Sequence, residues 1–257
     1  MSTPGEQFWL ALPLGRGVTL LTRDANGLVA FDKPAGVLSH PNSAEDEPRA
    51  LLTASYSLED ECYQWKTGTG DATTTSRLWL LNRLDSATSG VILASATEEL
   101  AREARAQFKR KQIRKVYHAL VFGVPAVPLQ VWRDRLAVTR QAGQVRTSGA
   151  GHIPCESQMQ LLRRRPASPP ISLLKLEPRT GRSHQLRVQC ALRHLPIVGD
   201  ATYGDFARNR EFAKGTGLKR LFLHSVTTSF DYEFGGQVFH FTARAPLPAE
   251  FETVLRH

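Results

Sequence analysis

Residues 82–90, with the sequence NRLDSATSG, connect two short apolar runs at 78–81 and 90–94. Short apolar runs that end in Ser, Thr and Gly predict two strands joined by a loop. Within that loop Asp85 follows Arg83 by two residues and is surrounded by small side chains. An Asp in such a loop commonly accepts hydrogen bonds from nearby backbone N–H groups and stabilises a turn. Local composition alone favours this structural role over a chemical one.

A second polar stretch, RTGRSHQLR at 179–187, places Arg179, Arg182 and Arg187 around the start of a predicted helix. Ser183 is a plausible residue to cap that helix. Arginines near a helix N-terminus oppose the helix dipole, so their presence indicates an anionic partner. A carboxylate such as that of Asp85 or a nucleic-acid phosphate would serve. The alternative is a set of solvated arginines.

The overall charge also suggests an anionic partner. The chain has 257 residues, with 33 Lys and Arg against 24 Asp and Glu, for a net charge of +9. Basic side chains that neutralise phosphates release counterions, which favours binding to nucleic acid. Simple solubility is the alternative explanation of the charge.

Several classes of protein are disfavoured by the sequence. No apolar run approaches the roughly 20 residues that span a bilayer, and the N-terminus lacks a signal-peptide pattern. The three cysteines, Cys62, Cys155 and Cys190, are far apart, so we expect reduced thiols and a cytoplasmic location. Because His152 and Cys155 have no second pair of ligands nearby, we expect no metal site.

The predicted elements indicate an α+β fold with a mixed, mostly antiparallel central sheet and flanking helices. The helix at 97–112 is the clearest, because Leu100, Ala104 and Phe108 share one face and the charges at both ends match the helix dipole. The other expected helices are 183–193 and 248–256, and the expected strands are 28–32, 78–81, 90–94, 115–123, 172–176, 220–230 and 238–243. We expect an N-terminal arm at 1–22, loops with one short helix at 41–75, and a Pro-rich meander at 124–170. The prediction is a single domain, 1–257.

Together these stretches resemble the RluA-type pseudouridine synthases. NRLDSATSGVILAS is similar to the family's H-R-L-D-x-x-T-S-G signature, and four more stretches match in family order. They are FDKPAGVLSHP, RKVYHALVFG, LEPRTGRSHQLRVQCALRHLPIVGDATYG and RLFLHS, and the matches run from about residue 27 to 245. The resemblance implies the family's fold, with a catalytic cleft, and isomerisation of a uridine in structured RNA without a cofactor or metal.

The resemblance also implies a role for individual residues. Asp85 matches the essential aspartate, Tyr117 matches the tyrosine that stacks on the target base, and Arg182 matches the arginine that pairs with the aspartate. Arg83 matches the arginine that enters the RNA stack in place of the uridine, and Leu223 matches an apolar residue of the pocket.

Four further residues are expected to contact RNA: Asn82, Lys115, Arg179 and Arg187. Asn82 departs from the family, which usually has His at this position. Asn hydrogen-bonds but does not titrate near neutral pH, so the departure puts in doubt which RNA is recognised rather than the chemistry. Since no extra RNA-binding module is recognisable, the catalytic domain itself is expected to grip the substrate, through the basic runs at 109–115, 163–165 and 179–193, as a monomer.

Three questions stay open on the sequence. Asp85 could attack either C6 of the base or C1′ of the ribose. The segment 204–225 resembles the branch that modifies the acceptor-stem region of tRNA, but ribosomal RNA is a live alternative. Two other functions are also conceivable: a non-catalytic RNA-binding or assembly protein, and a hydrolase that uses Asp85 with His184 or His224.

Overall fold

The computed structural model describes residues 5–68, 73–141, 144–166 and 168–256. The chain divides into two compact units. The first unit comprises residues 1–113 and 227–245, and the second comprises residues 114–226 and 246–257.

Within the described residues the regular structure is mostly β. The strands are β1 (Thr19–Arg23), β2 (Leu28–Lys33), β3 (Ser55–Ser57), β4 (Cys62–Thr67), β5 (Thr74–Leu80), β6 (Ser89–Ser95), β7 (Arg114–Phe122), β8 (Leu129–Gln141), β9 (Gln144–Arg165), β10 (Ile171–Pro178), β11 (Leu223–Phe234) and β12 (Gln237–Arg244). The helices are α1 (Glu6–Leu10), α2 (Glu98–Arg110), α3 (Gln185–Ala191), α4 (Phe206–Thr216) and α5 (Ala249–Arg256), with one 3₁₀ turn at Ala44–Arg49.

The first unit is built on antiparallel pairing. β3, β4, β5 and β6 pair in that order, β6 also pairs with β2, and β2 pairs with β1. β11 and β12 form a hairpin whose Gly235 and Gly236 have φ of 58° and 74°. Such left-handed conformations are those that a two-residue hairpin turn requires and that glycine adopts without strain. The core joins α2 to this sheet through Leu100, Ala101 and Ala104.

The second unit has an antiparallel sheet in the order β7, β10, β9, β8. Its core packs Leu120, Phe122 and Leu173 of the sheet against Phe251 and Val254 of α5. The predicted α+β class with a mostly antiparallel sheet is therefore confirmed. The described residues include no helix that is long and apolar enough to cross a membrane.

The predicted helix at 97–112 is observed as α2, which begins after Thr97 and ends at Lys111 in a left-handed conformation. The strands predicted at 78–81, 90–94, 115–123 and 172–176 lie within or overlap β5, β6, β7 and β10. Each of these elements has a strong local pattern, which explains why the sequence predicted it correctly.

Other predictions need correction. The arm expected at 1–22 contains α1 and the start of β1, and β1 pairs with β2. The loops expected at 41–75 contain β3, β4 and the start of β5, and the Pro-rich meander at 124–170 is a hairpin of two long strands, β8 and β9. Residues 1–4 of the arm, 69–72 of the loops, and 142, 143 and 167 of the meander lie outside the described residues.

The sequence analysis did not predict α4, which lies in a long polar segment. None of its residues is buried, although Phe212 is partly buried against the core of the second unit, so the helix has little apolar surface for a periodicity argument to detect. Its ends do carry signals. The Asp205 carboxylate accepts a hydrogen bond from the Arg208 backbone N–H, and Gly217 ends the helix with φ of 73°. Asp before a helix and Gly after it are standard boundary residues, and they were the available evidence.

Candidate active site

The loop at 82–88 lies in the first unit, between β5 and β6, and its two ends are fixed by hydrogen bonds. The Leu81 backbone N–H donates to Leu93 O, and the Asn82 side-chain Oδ1 accepts from the Leu93 backbone N–H at 2.8 Å. Farther along, the Thr88 N–H donates to Asp85 O at 2.9 Å and closes a turn. The Oδ1 of Asn82 thus anchors the loop to β6, which is a structural function that Asn performs without a titratable group.

Ser39 holds the loop from the side of residue 84. Its Oγ donates to Leu84 O at 2.8 Å and accepts from the Leu84 backbone N–H at 3.0 Å. The Ser39 carbonyl in turn accepts from the hydroxyl of Tyr63, which is fully buried. Because one hydroxyl satisfies both backbone groups of Leu84, the position of the residue before Asp85 is closely determined.

Lys33 holds the loop from the side of residue 86. Its side chain is fully buried, and Nζ donates to the carbonyls of Pro34, Val37 and Ser86 at 2.7–3.0 Å. The Gly36 N–H donates to the same Ser86 carbonyl at 2.8 Å. A buried ammonium needs such partners, because burying an unpaired charge is strongly unfavourable. Here its hydrogen bonds join the turn after β2 to the loop that carries Asp85.

Asp85 itself is partly exposed. Its two chain neighbours, Leu84 and Ser86, are the residues held by Ser39 and Lys33. A reactive group must be oriented by a rigid surrounding shell, and a loop held on both sides of residue 85 is compatible with that requirement. The sequence predicted a role for Asp85 but gave no sign of those of Lys33, Ser39 and Tyr63, which depend on contacts across the fold.

Arg83 lies in the same loop as Asp85 and is exposed, and the other residues of the predicted site lie in the second unit. Tyr117, on β7 opposite Leu176 of β10, is partly exposed. Two positions earlier, Lys115 Nζ lies 3.5 Å from the point where a Cβ on Gly181 would be. Burial lowers the pKa of Lys115. The Lys115 side chain is therefore adjacent to the T-G-R segment.

The T-G-R segment at 180–182 is held by a buried polar network. Gln185 Oε1 accepts from the Thr180 hydroxyl at 2.8 Å and from the Arg182 backbone N–H at 3.1 Å. Gln185 Nε2 donates to Glu156 O and Ser157 Oγ on β9. The backbone of Arg182 is thus fixed, and the residue is exposed.

The prediction that Ser183 caps the helix is wrong. α3 begins at Gln185, its N-cap residue is His184 with φ of 55°, and no side chain caps it. The physical reason is that the Gln185 side chain folds back onto residues 180 and 182, while the Ser183 carbonyl accepts a hydrogen bond from Thr147 Oγ1. These contacts fix the backbone of residues 180–184 in a non-helical turn, so the helix begins at Gln185 rather than at Ser183.

Arg187 is buried and paired. Its side chain is 8% exposed, and Nε and Nη2 each donate to the Asp200 carboxylate at 2.8 Å. Burial by itself would raise the pKa of Asp200, but the Arg187 hydrogen bonds and charge and the backbone N–H groups of Tyr203 and Thr202 outweigh it, so the pKa is lowered. This geometry argues for a structural role and against the predicted direct contact of Arg187 with RNA.

Several predicted basic residues are engaged by acidic ones. Arg179 lies 3.3 Å from Glu156, and Arg163 lies 2.9 Å from Glu252 of α5. Arg165 Nη1 donates to Val254 O, so this basic run helps to attach α5. Leu223, expected to line the pocket, is 4% exposed. Among the described residues, no group of three or more His, Cys, Asp or Glu is placed to hold a metal ion.

The comparisons with known proteins decide the family. A family model described as RNA pseudouridylate synthase matches residues 27–192, which is more than half of the chain. The chain belongs to the RNA pseudouridylate synthase family. It is an isomerase that converts uridine to pseudouridine in RNA, and the hydrolase and non-catalytic alternatives lose their support.

Similar proteins agree with this assignment. The tRNA pseudouridine synthase C of Yersinia pestis is 32% identical over 229 residues, covering 84% of this chain and 82% of that protein. The protein of the same name from Haemophilus ducreyi is 34% identical over 224 residues, covering 83% and 85%. The solved structure of human RNA pseudouridylate synthase domain containing 4 has a TM-score of 0.64 at 22% identity and covers 92% of this chain and 91% of that one. This structural similarity shows that the chain has the fold of the human protein.

Proposed function

We propose that this pseudouridine synthase acts on a uridine in tRNA and that Asp85 is its nucleophile. The observation that carries the assignment to Asp85 is the pair of buried supports on either side of it, Ser39 at Leu84 and Lys33 at Ser86. Catalysis by an attacking carboxylate requires this combination of a fixed backbone and an accessible side chain.

The reaction breaks the bond between N1 of the base and C1′ of the ribose and forms a bond between C5 and C1′. A proton leaves C5 and N1 of the product carries one, so no oxidant, cofactor or metal is required. Attack by Asp85 at C6 and attack at C1′ both satisfy this balance. Either one requires the nucleotide to leave the stack, since C1′ and both edges of the ring must become accessible.

The other predicted residues fit steps of this scheme. Tyr117, a partly exposed residue, supplies the ring on which the extruded base stacks, with a contribution of about 1–3 kcal/mol. Arg83 is exposed and enters the gap that the uridine leaves, where a planar guanidinium can stack on bases. The resemblance gives Arg182 the role of the arginine that pairs with the catalytic aspartate, and Lys115, Arg179 and the Nδ2 of Asn82 contact RNA. Leu223 lines the pocket. The protein works as a cytoplasmic monomer.

The choice of tRNA rests on the relatives, which are named tRNA pseudouridine synthase C at 32–34% identity. Ribosomal RNA is the second candidate. Sequencing that detects pseudouridine in total RNA from cells with and without the gene separates them. We expect a modification in tRNA to disappear. The disappearance of a ribosomal site alone would overturn the tRNA proposal and leave the chemistry intact.

The nucleophile is tested with the variant Asp85→Asn, which keeps the shape of the side chain and removes its charge. The substrate is total RNA labelled with [5-³H]uridine from cells that lack the gene, and tritium release measures turnover. We expect the variant to release no tritium above background. The matched control is Asp60→Asn, because Asp60 is an exposed aspartate of the same unit that accepts a hydrogen bond from Ser57. Turnover by Asp85→Asn at the rate of the control would show that another group attacks.

A further inference from the structure

One contact of Arg83 is already made in the free protein. Arg83 Nη1 lies 3.5 Å from Nε2 of His40, which lies in the segment between β2 and β3. His40 is stacked face to face on Tyr56 of β3, with ring centroids 4.6 Å apart and an interplanar angle of 10°. Tyr63 packs against Tyr56 in an edge-to-face arrangement, with ring centroids 5.0 Å apart. The arginine proposed to enter the RNA therefore touches an ordered aromatic stack.

The backbone brings this pair together. Ser39 and Leu84 are joined by two hydrogen bonds. His40 directly follows Ser39 in the chain, and Arg83 directly precedes Leu84. Tyr63 both holds the Ser39 carbonyl and supports the Tyr56 ring. The contact between His40 and Arg83 thus follows from the same supports that hold the Asp85 loop.

The hydrogen-bond partners of His40 decide which ring nitrogen faces Arg83 as an acceptor. Nδ1 lies 3.0 Å from the Pro41 carbonyl oxygen, which can only accept, so Nδ1 carries the hydrogen. In the neutral ring Nε2 then has a lone pair, and this atom is the one that faces the Arg83 guanidinium. Burial and the charge of Glu61 raise the pKa of Tyr56 to about 12, so the ring beneath His40 is an uncharged phenol.

The length of the contact is also informative. A separation of 3.5 Å is at the long limit of a hydrogen bond, so the interaction is weak. A weak restraint suits a side chain that must be held ready in one direction and then released when RNA offers a better stacking surface. A short, buried ion pair such as that of Arg187 would not release its partner in this way.

We propose that His40, set on the Tyr56 ring and fixed as the Nδ1–H tautomer, is a positioning residue that holds Arg83 ready to enter the RNA as the uridine leaves. This inference rests on the proposed role of Arg83. His40 does not touch the reacting atoms and acts through the arginine. Loss of its acceptor nitrogen lowers kcat, because the base-flipping step slows, and leaves the binding of RNA unchanged.

The test is a double-mutant cycle with His40→Phe and Arg83→Ala, using the tritium-release assay on [5-³H]uridine-labelled total RNA. Phe keeps the stack on Tyr56 and removes the acceptor, so we expect His40→Phe to lower kcat by about three- to tenfold with KM unchanged. In the Arg83→Ala background the same change should have no further effect, because contacting residues are energetically coupled. His40→Gln, whose amide oxygen can accept, should recover most of the loss.

The control is His240→Phe, since His240 is an exposed histidine of the same unit, paired with Asp231. An equal loss from His40→Phe in both backgrounds would overturn the inference, as would a loss confined to KM. If Arg83→Ala releases no measurable tritium, ¹⁵N shifts of the His40 ring decide instead. The Nδ1–H tautomer, with an Nε2 signal that moves in Arg83→Ala, supports the inference, and an Nε2–H ring contradicts it. Full turnover by Asp85→Asn would reject the proposed function and not this contact.

Discussion

Replacing Lys33 with Met tests whether the turn after β2 determines the position of Asp85. Met has a similar length and fills the same space, but it removes the three hydrogen bonds from Nζ to Pro34 O, Val37 O and Ser86 O. Hydrogen bonds from a charged donor contribute about 1.5–3 kcal/mol each. The cost of burying the ammonium, several kcal/mol, offsets part of that sum.

The net expectation is a loss of about 2–4 kcal/mol, since Met removes the ammonium donor from three carbonyls, of which that of Ser86 keeps its hydrogen bond from the Gly36 N–H. For a chain of this size each kcal/mol lowers Tm by about 2–4 °C, so we expect a decrease of about 5–15 °C. Activity should fall further than stability predicts. A displacement of the Asp85 loop by about 1 Å would reduce kcat by up to about a hundredfold even where the enzyme stays folded.

Thermal denaturation followed by circular dichroism gives Tm, and tritium release well below that temperature gives kcat. The matched control is Lys66→Met, because Lys66 is an exposed lysine of the same unit. A Tm for Lys33→Met within about 2 °C of the control would refute the energetic argument. Unchanged kcat in a destabilised variant would refute the link between Lys33 and Asp85.

Two further predictions concern the second unit. Asp200→Asn should lower the free energy of unfolding at pH 7 by about 3–5 kcal/mol, since it leaves Arg187 without its anionic partner. The pKa of Asp200 is lower in the folded than in the unfolded chain. Its contribution to the free energy of unfolding is therefore complete above the unfolded pKa of about 3.9 and is lost as pH falls through the folded pKa. The free energies of unfolding of the two proteins, measured by urea titration, should therefore converge below about pH 4. Gly199→Ala should prevent folding, because Gly199 has φ of 76° and an added Cβ would lie 1.8 Å from Arg220 O; soluble protein with normal Tm would contradict this.

The sequence predicted the family and a candidate site, and the comparisons confirm the family. The ordered motifs pointed to Asp85 and to the family, and the apolar runs on either side of residues 82–90 correctly predicted β5 and β6. Such motifs can be recognised in a sequence because they combine particular residue types with a fixed local spacing. The roles given to Asp85, Tyr117 and Arg182 stay predictions, to be tested by the variants above.

The position of Asn82 shows where the sequence was not sufficient. It differs from the His expected by resemblance and therefore looked like a change in RNA recognition. In the structure its Oδ1 accepts from Leu93 N–H, so it anchors the loop to β6. The partner of Asn82 is eleven residues away in sequence, so no local sequence pattern predicts this hydrogen bond.

What the sequence by itself determined is the set of elements and residues whose signal is local: α2 from its apolar face, the β11–β12 hairpin from Gly235 and Gly236, and the Asp85 loop from its motif. Only the tertiary structure decided which charged groups are exposed and which are buried. Arg182 and Arg187 stand in one motif five residues apart, yet Arg182 is exposed and Arg187 is held by Asp200. The physical reason is that burial and pairing depend on neighbours brought together by the sheet and its loops, which composition and spacing do not specify.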